Sequence, residues 1–417
     1  MSGQNKSSRI DDWLLGKIYR AAGQPSVRLR FRNSAEVSPK DTLPVANIVI
    51  PDRKTLLRLL LDPEAEFGDA YSKGRITLEG DLVSALEILY RSMSEVEHHR
   101  WYVKLVSKCM EYVQRNSLRG SRRNIQRHYD LNTDFYRLWL GPQLVYTCAY
   151  FPSPGATLEQ AQVAKLDYVC RKVQLHPGER VVDAGCGWGA LALHMAQNYG
   201  VTVRAFNISR EQILVARGRA KELGLSHRVE FIEDDYRNIS GECDAFVSVG
   251  MLEHVGREHY RDLGSIIHRS LAKTGRGLLH FIGRNHPLPF STWTRKRIFP
   301  GAYPPTLGEV MQLFEPWDLS VLDVENLRPH YARTLEQWLV RFEKSEQRIS
   351  EMFGPEFMRA WRLYLAGAVA GFRVGTLQLF QIVFARTAWQ QIPWTRAHLY
   401  AKEQQEEQET KWMHATS

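Results

Sequence analysis

The chain has 417 residues, 44% hydrophobic and 24% charged, which is too long for one average domain and too apolar for a disordered or fibrous protein. A net charge of +9 favours anionic partners but does not choose among nucleic acid, anionic lipid and acidic small molecules. The five scattered cysteines, Cys109, Cys148, Cys170, Cys186 and Cys243, form no C-x-x-C pair; this argues against a disulfide framework or zinc ribbon and fits a reducing cytoplasm.

The opening MSGQNKSSRIDDWLLGKIYR has no apolar signal core. Residues 1–95 read as a small α+β domain, expected to engage lipid, with strands RLRF (28–31) and ANIVI (46–50) and helices from KTLLRLLLD and DLVSALEILYRSM. Residues 96–127 form a basic helical connector, read as a solvated helix, with docking on anionic headgroups as the alternative. From about residue 160 strands and helices alternate: RVVDA and GALALHMAQNYG, VTVRAFN and REQILVARGRAKELG, then RVEFIED, DAFVSVG and GRGLLHFIG. That rhythm predicts a doubly wound, Rossmann-like α/β sheet. LSVLDVE (319–325) and LFQIVFA (379–385) would bring it to seven strands, giving a domain over 128–400 and a polar tail over 401–417. Residues 284–318, rich in Pro, aromatics and cations, are too long for a plain connection and are predicted to cover a site. The apolar run 364–385 is long enough for a membrane span, but Arg373 and the β-type ending predict a buried helix followed by a buried strand.

VVDAGCGWGALALHMA (181–196) places a glycine turn between strand and helix, a setting that exposes helix N-terminal amides to a ligand. Gly185, Gly187 and Ala190 fit the dinucleotide spacing, whereas Gly185, Gly187 and Gly189 fit the tighter spacing associated with S-adenosylmethionine. Asp183 precedes the turn, RAFNIS ends the next strand without an acid for a nicotinamide ribose, and EDDY follows the third strand. These features select the methyl donor, with Asp183 and Asp235 expected at its amino group and its adenine or ribose.

Across nearly the whole chain, FGDAYSKGRITLEGDL (67–82), HYDLNTDFYRLWL (128–140), VYTCAYF (145–151), LEQAQVAKLDYVCRKVQL (158–175), DAGCGWG (183–189), DDYR (234–237), SVGMLEHVG (248–256), LLHFIG (278–283), RIFPGAYPP (297–305) and HYARTLEQW (330–338) follow in order. In these motifs the sequence resembles the cyclopropane fatty acid synthase family. The resemblance implies a methyltransferase that adds a one-carbon unit from S-adenosylmethionine to the cis double bond of a membrane phospholipid, closing a ring as a proton leaves. It implies bound bicarbonate as the base. The anion's cradle would be Cys148, Glu253, His280, Ile282 and Tyr331, with Glu253 and His280 orienting it, Tyr331 donating a hydrogen bond, and Cys148 and Ile282 offering backbone amides. Donor contacts carried over are Tyr146 and Thr147 on a lid, Gly185, Gly187 and Trp188 at the turn, Asn207, Ile208 and Gln212 after the second strand, and Asp235 with Tyr236 near the adenine. Thr147 stands where the family commonly has Ser, Asn207 where it has Thr, and Phe281 where a small polar residue is usual; the last puts bulk beside the expected anion pocket. The resemblance also implies a peripheral enzyme on the cytoplasmic membrane leaflet, and a homodimer for which the residues give no independent signal.

Read singly, Cys148 is a buried thiol, His280 a core histidine and Tyr331 a core cap; only the ordered set makes them a site. Glu253 and His254 are adjacent, yet no further His or Cys falls at metal-ligand spacing. A hydride shift before proton loss would give a methylene-branched chain instead of a ring. A nucleic-acid methyltransferase is disfavoured because SVGMLEHVG stands where a base-flipping motif would follow the fourth strand. A non-catalytic lipid-binding protein would have no use for the Glu, His and Tyr set.

Overall fold

Alternation along short strands organises the N-terminal unit. The computed structural model describes residues 9–31, 35–97 and 132–400, so nearly all of the predicted basic connector and the whole polar tail lie outside the described residues. A first helix, α1 (Arg9–Ala21), precedes the expected elements and turns Leu14, Leu15 and Tyr19 inward. In β1 (Arg28–Phe31) and β3 (Asn47–Ile50) every second residue is buried, so Leu29, Phe31, Ile48 and Ile50 share a core with α1. These strands pair in parallel, with β2 (Ala35–Val37) and β4 (Thr77–Glu79) at the two edges. Asp62 ends α2 (Arg53–Leu61) and caps α3 (Pro63–Ser72), where it accepts the Ala65 N–H and Pro63 occupies the first turn. Helix α4 (Leu82–Glu97) closes the unit.

The larger domain begins with α5 (Thr133–Leu140) and α6 (Leu158–Lys172). Strands β5 (Arg180–Ala184), β6 (Thr202–Asn207), β7 (Val229–Glu233), β8 (Cys243–Val249) and β9 (Leu271–Gly283) then run parallel. Helices α7 (Ala190–Tyr199), α8 (Arg210–Glu222) and α9 (Tyr260–Ser270) lie among them in the chain, and α10 (Thr292–Arg297) and α11 (Leu307–Val310) follow. After β10 (Leu319–Asn326), the chain makes α12 (Arg328–Lys344), α13 (Glu346–Phe353) and α14 (Pro355–Val374) before β11 (Gln378–Arg386). The sheet has seven strands in the order β10-β11-β9-β8-β5-β6-β7, a Rossmann-like methyltransferase arrangement.

The sheet is mixed, because β11 runs antiparallel to both neighbours. Asn326 at the end of β10 pairs with Phe380 near the start of β11, and Leu327 N–H donates to Leu379 O. Helices α12 to α14 are therefore an outgrowth of a hairpin connection. Since Gln378 pairs with Gly283 at the end of β9, that outgrowth stands over the carboxyl ends of the parallel strands, where ligands of open α/β sheets bind.

The run 364–385 forms the end of α14 and most of β11, a buried helix leading into a buried strand. Arg373 lies in the last helical turn and pairs with Glu87 and Glu336. Among the described residues no helix is long and apolar enough to cross a membrane. The two units meet where Tyr71, Leu82 and Leu86 pack with Leu363, Ala366, Ala370 and Trp293. Gly68 permits this closure, since a Cβ there would lie 2.3 Å from the Trp293 ring.

Candidate active site

Two cavities open at the carboxyl ends of the parallel strands. The smaller, about 150 Å³, is built on the turn after β5. Gly185, Gly187 and Gly189 have φ of +94°, +55° and +82°, values that side chains disfavour. The Gly185 and Cys186 amides donate to Phe206 O, which ties the turn to β6. A Cβ on Gly189 would lie 2.6 Å from the Phe231 ring, so this glycine is needed for helix-to-strand packing; a Cβ on Gly187 would meet nothing and face open space. Trp188 is held by its Nε1–H donating to Thr133 Oγ1 at 3.3 Å, and Thr133 in turn donates to Glu211. Asn207 Nδ2 donates to Gly187 O and, at 2.6 Å, to Gln212 Oε1. Tyr146, Thr147, Asp183, Gly185, Gly187, Trp188, Asn207, Ile208, Gln212, Asp235 and Tyr236 all line this pocket.

The two acids in it differ. Asp235 is engaged in capping, accepting the Arg237 N–H at 3.0 Å. Asp183 is 1% exposed, and neither carboxylate oxygen has a hydrogen-bond partner among the described residues. Burial pushes its carboxyl up to about 7, with the Lys165 ammonium pulling the other way. A buried acid without donors is suited to a cationic ligand.

The larger cavity, about 560 Å³, is mostly apolar and is lined by Cys148, Glu253, His280, Ile282 and Tyr331. Tyr146, Thr147, Gly250 and His254 line both cavities and form their common wall. Glu253 sits in a short 3-10 turn after β8, and burial raises its carboxyl to about 7 although the Ile282 N–H favours the charged form. Its Oε2 is buried with no partner among the described residues. His280 faces Gln381 across the β9–β11 pair, with Nδ1 3.0 Å from Gln381 Nε2; burial holds its pKa well below the usual histidine value, so the ring is neutral. Tyr331 stands in the first turns of α12 against Phe372. Cys148 donates its thiol to Ala149 O, and burial pushes its pKa far up, which leaves an inert side chain.

Two expectations are corrected. The Ile282 amide donates to Glu253 Oε1 at 2.5 Å, so it positions the carboxylate and does not stand free for an anion. Phe281 does not crowd the cavity either. Side chains alternate along a strand, so while His280 and Ile282 face the cavity, Phe281 turns to the opposite face and packs on Phe380.

Sequence reasoning missed Lys165. It is 2% exposed, lines the smaller cavity, and its Nζ donates to Thr147 Oγ1 at 3.0 Å. Burial lowers its pKa to about 8, opposed by Cys148 and Asp183. The signal was present: Leu158, Ala161, Gln162, Lys165 and Val169 fall at helical spacing on the buried face of α6, where an ordinary lysine would not be placed.

The family model for mycolic acid cyclopropane synthetase matches residues 116–382. The chain belongs to the mycolic acid cyclopropane synthetase family. It is an S-adenosylmethionine-dependent methyltransferase. Among curated relatives, a probable fatty acid methyltransferase of Pseudomonas putida is 32% identical over 370 residues, covering 86% of this chain and 92% of its own. The cyclopropane-fatty-acyl-phospholipid synthase of Escherichia coli K12 is 39% identical over 260 residues, 62% of this chain and 66% of its own. Of solved structures, the cyclopropane synthase MmaA2 from Mycobacterium tuberculosis aligns with a TM-score of 0.61 at 30% identity, over 64% of this synthetase-family chain and 98% of its own. Mycolic acid cyclopropane synthase CmaA1, solved with SAH and CTAB, aligns with a TM-score of 0.61 at 31% identity, again over 64% of this chain and 98% of its own.

Proposed function

We propose that this enzyme transfers a one-carbon unit from S-adenosylmethionine to the cis double bond of an unsaturated acyl chain of a membrane phospholipid and closes a cyclopropane ring. The observation that carries this reading is the common wall: the donor pocket shares Tyr146, Thr147, Gly250 and His254 with a large apolar cavity that is also lined by a buried carboxyl, a neutral histidine and a tyrosine. The named relatives from Pseudomonas putida and Escherichia coli, which carry acyl or acyl-phospholipid substrates in their names, support the substrate class.

S-adenosylmethionine, when bound, supplies an electrophilic methyl group. Asp183 would hold its amino group, Gly185, Gly187 and Trp188 its amino-acid end, Asn207, Ile208 and Gln212 its ribose, and Asp235 with Tyr236 its adenine. An isolated alkene is a poor nucleophile, so the enzyme's work is to hold the olefinic carbons in line and keep water from the cation that follows. The walls built from Tyr146, Leu335, Phe372 and Leu379 serve that purpose. The cation must then lose a proton to a base that does not add to carbon. A carboxyl raised to about 7 is partly neutral, so Glu253 can donate from its unpartnered Oε2, while neutral His280 and the Tyr331 hydroxyl offer further polar atoms. That donor set suits a small anion, and bicarbonate held there would supply the base. With the Ile282 amide already engaged, the Cys148 backbone is the remaining main-chain contribution to this cradle.

The test is incubation with S-adenosylmethionine and vesicles of unsaturated phospholipid, followed by mass spectrometry and proton NMR of the esterified chains. The expected product gains one carbon and shows upfield ring hydrogens. A one-carbon gain without ring hydrogens would replace the ring by a branch, and unaltered lipid with a methylated polar acceptor would overturn the proposal.

A further inference from the structure

The larger cavity does not end in the methyltransferase domain. From the Glu253, His280 and Tyr331 cluster its wall continues along α14, through Tyr364, Gly367 and Gly371, to Tyr90 and Leu89 on α4. It then runs into the N-terminal unit, where Ile18, Ala22, Leu29, Ile48, Ile50 and Leu59 line it beneath the four-stranded sheet. Gly367 lets α4 and α14 approach closely along this wall: a Cβ there would lie 3.0 Å from the Tyr90 hydroxyl. The side chains named in the N-terminal core are all aliphatic. Apart from Glu253 in the cluster above, the charged side chains on the cavity wall, Glu64, Arg284 and Arg295, lie where α3 meets the 284–299 insertion, with Glu64 accepting the Thr292 N–H at 2.8 Å.

We propose that the N-terminal unit receives the methyl-terminal end of the acyl chain and sets the length of chain that the enzyme accepts beyond the double bond. This rests on the acyl-lipid reading above. Only the methyl end suits such a wall, because an ester or phosphate buried there would have no hydrogen-bond partners. The unit is thus the far end of the substrate slot as well as a packing partner of the methyltransferase domain.

The full-length enzyme and three phosphatidylglycerols test it: palmitoleoyl, cis-vaccenoyl and oleoyl. The first two have the same length beyond the double bond and the third is two carbons longer there, whereas palmitoleoyl and oleoyl match on the ester side. Ala22→Phe and, separately, Leu59→Phe narrow the far end, and each is expected to lower the oleoyl-to-palmitoleoyl ratio of kcat/KM by about tenfold or more, since a methylene is worth that much in a fitted apolar pocket. Leu29→Ala enlarges the same end and should raise that ratio. Circular dichroism and a wild-type-like thermal unfolding transition report that each variant is folded, its N-terminal unit included. Folded variants with an unchanged ratio would overturn the proposal, and so would discrimination of cis-vaccenoyl from the other two, which would place the ester side in the N-terminal unit. A wild-type enzyme that modifies none of the three lipids would instead refute the acyl-lipid reading.

Discussion

The smaller cavity takes its walls from one stretch of chain, Leu144 to Val255, whereas the larger draws on residues from Ile18 to Leu379. The first is a local device: a strand, a glycine turn and a helix N-terminus, refined by the ends of the next strands. The second exists only once an outgrown hairpin, a proline-rich insertion and a separate α+β unit have closed on one another. A site that recognises a polar cofactor can be encoded within one supersecondary unit, but a slot for a long apolar chain needs a core with space left in it.

That contrast predicts separable defects. The largest belongs to Glu253→Gln, which keeps the shape of the wall but loses the titrating carboxyl that lines the larger cavity. Turnover should fall by at least about a hundredfold, while donor affinity, read by calorimetry, stays within a fewfold. Equal loss of both would join what the structure keeps apart.

Lys165→Met should be the exception that moves both, because Lys165 holds Thr147 on the common wall and sits near Asp183. Removing a charged hydrogen bond of this kind costs about 1.5–3 kcal/mol, so donor binding and turnover should each drop by roughly tenfold or more. A variant affected in turnover alone would confine Lys165 to the acyl side.

Donor binding should also depend on pH. The Asp183 carboxyl lies at about 7 in the free protein, and pairing with a cation favours its charged form. Below that value binding must displace a proton, so affinity should rise by up to about tenfold per pH unit and level off above it. Calorimetry in buffers of different ionisation enthalpy should record proton release at pH 6, and Asp183→Asn should abolish both effects. Affinity that falls with rising pH across this window would remove Asp183 from the donor's amino group.

The smallest effect concerns the seam between the units. Arg297 pairs with Asp69 at 2.7 Å across it, partly exposed. Arg297→Ala should cost no more than about 1 kcal/mol in thermal unfolding, and less in high salt. A larger loss would mean that the N-terminal unit is held by charge more than by the Trp293 cluster.

Much of the smaller cavity was legible in the sequence because its signals are short-range: the glycines of DAGCGWG, the aspartate before them, and the period of the flanking strand and helix. The seven strands were legible too, but the reversal of β11 was not, since hydrophobic runs carry no direction. Phe281 was misplaced although alternation along LLHFIG fixes its face once His280 is set inward. The engagement of Ile282 with Glu253 depends on a loop meeting a strand 29 residues away, which no local pattern records. Lys165 was readable from helical spacing alone. The N-terminal reach of the larger cavity was not, because aliphatic residues that line a void have the same pattern as those that fill a core.

The central claim is that a methyl group received by an alkene in the large cavity then gives up a hydrogen to a base beside Glu253. Turnover with a donor whose methyl group carries only deuterium tests this most directly. The account predicts ring-bearing lipid that retains two deuterium atoms, with the third lost to solvent. Lipid that keeps all three, or label found only on a polar acceptor, would contradict it.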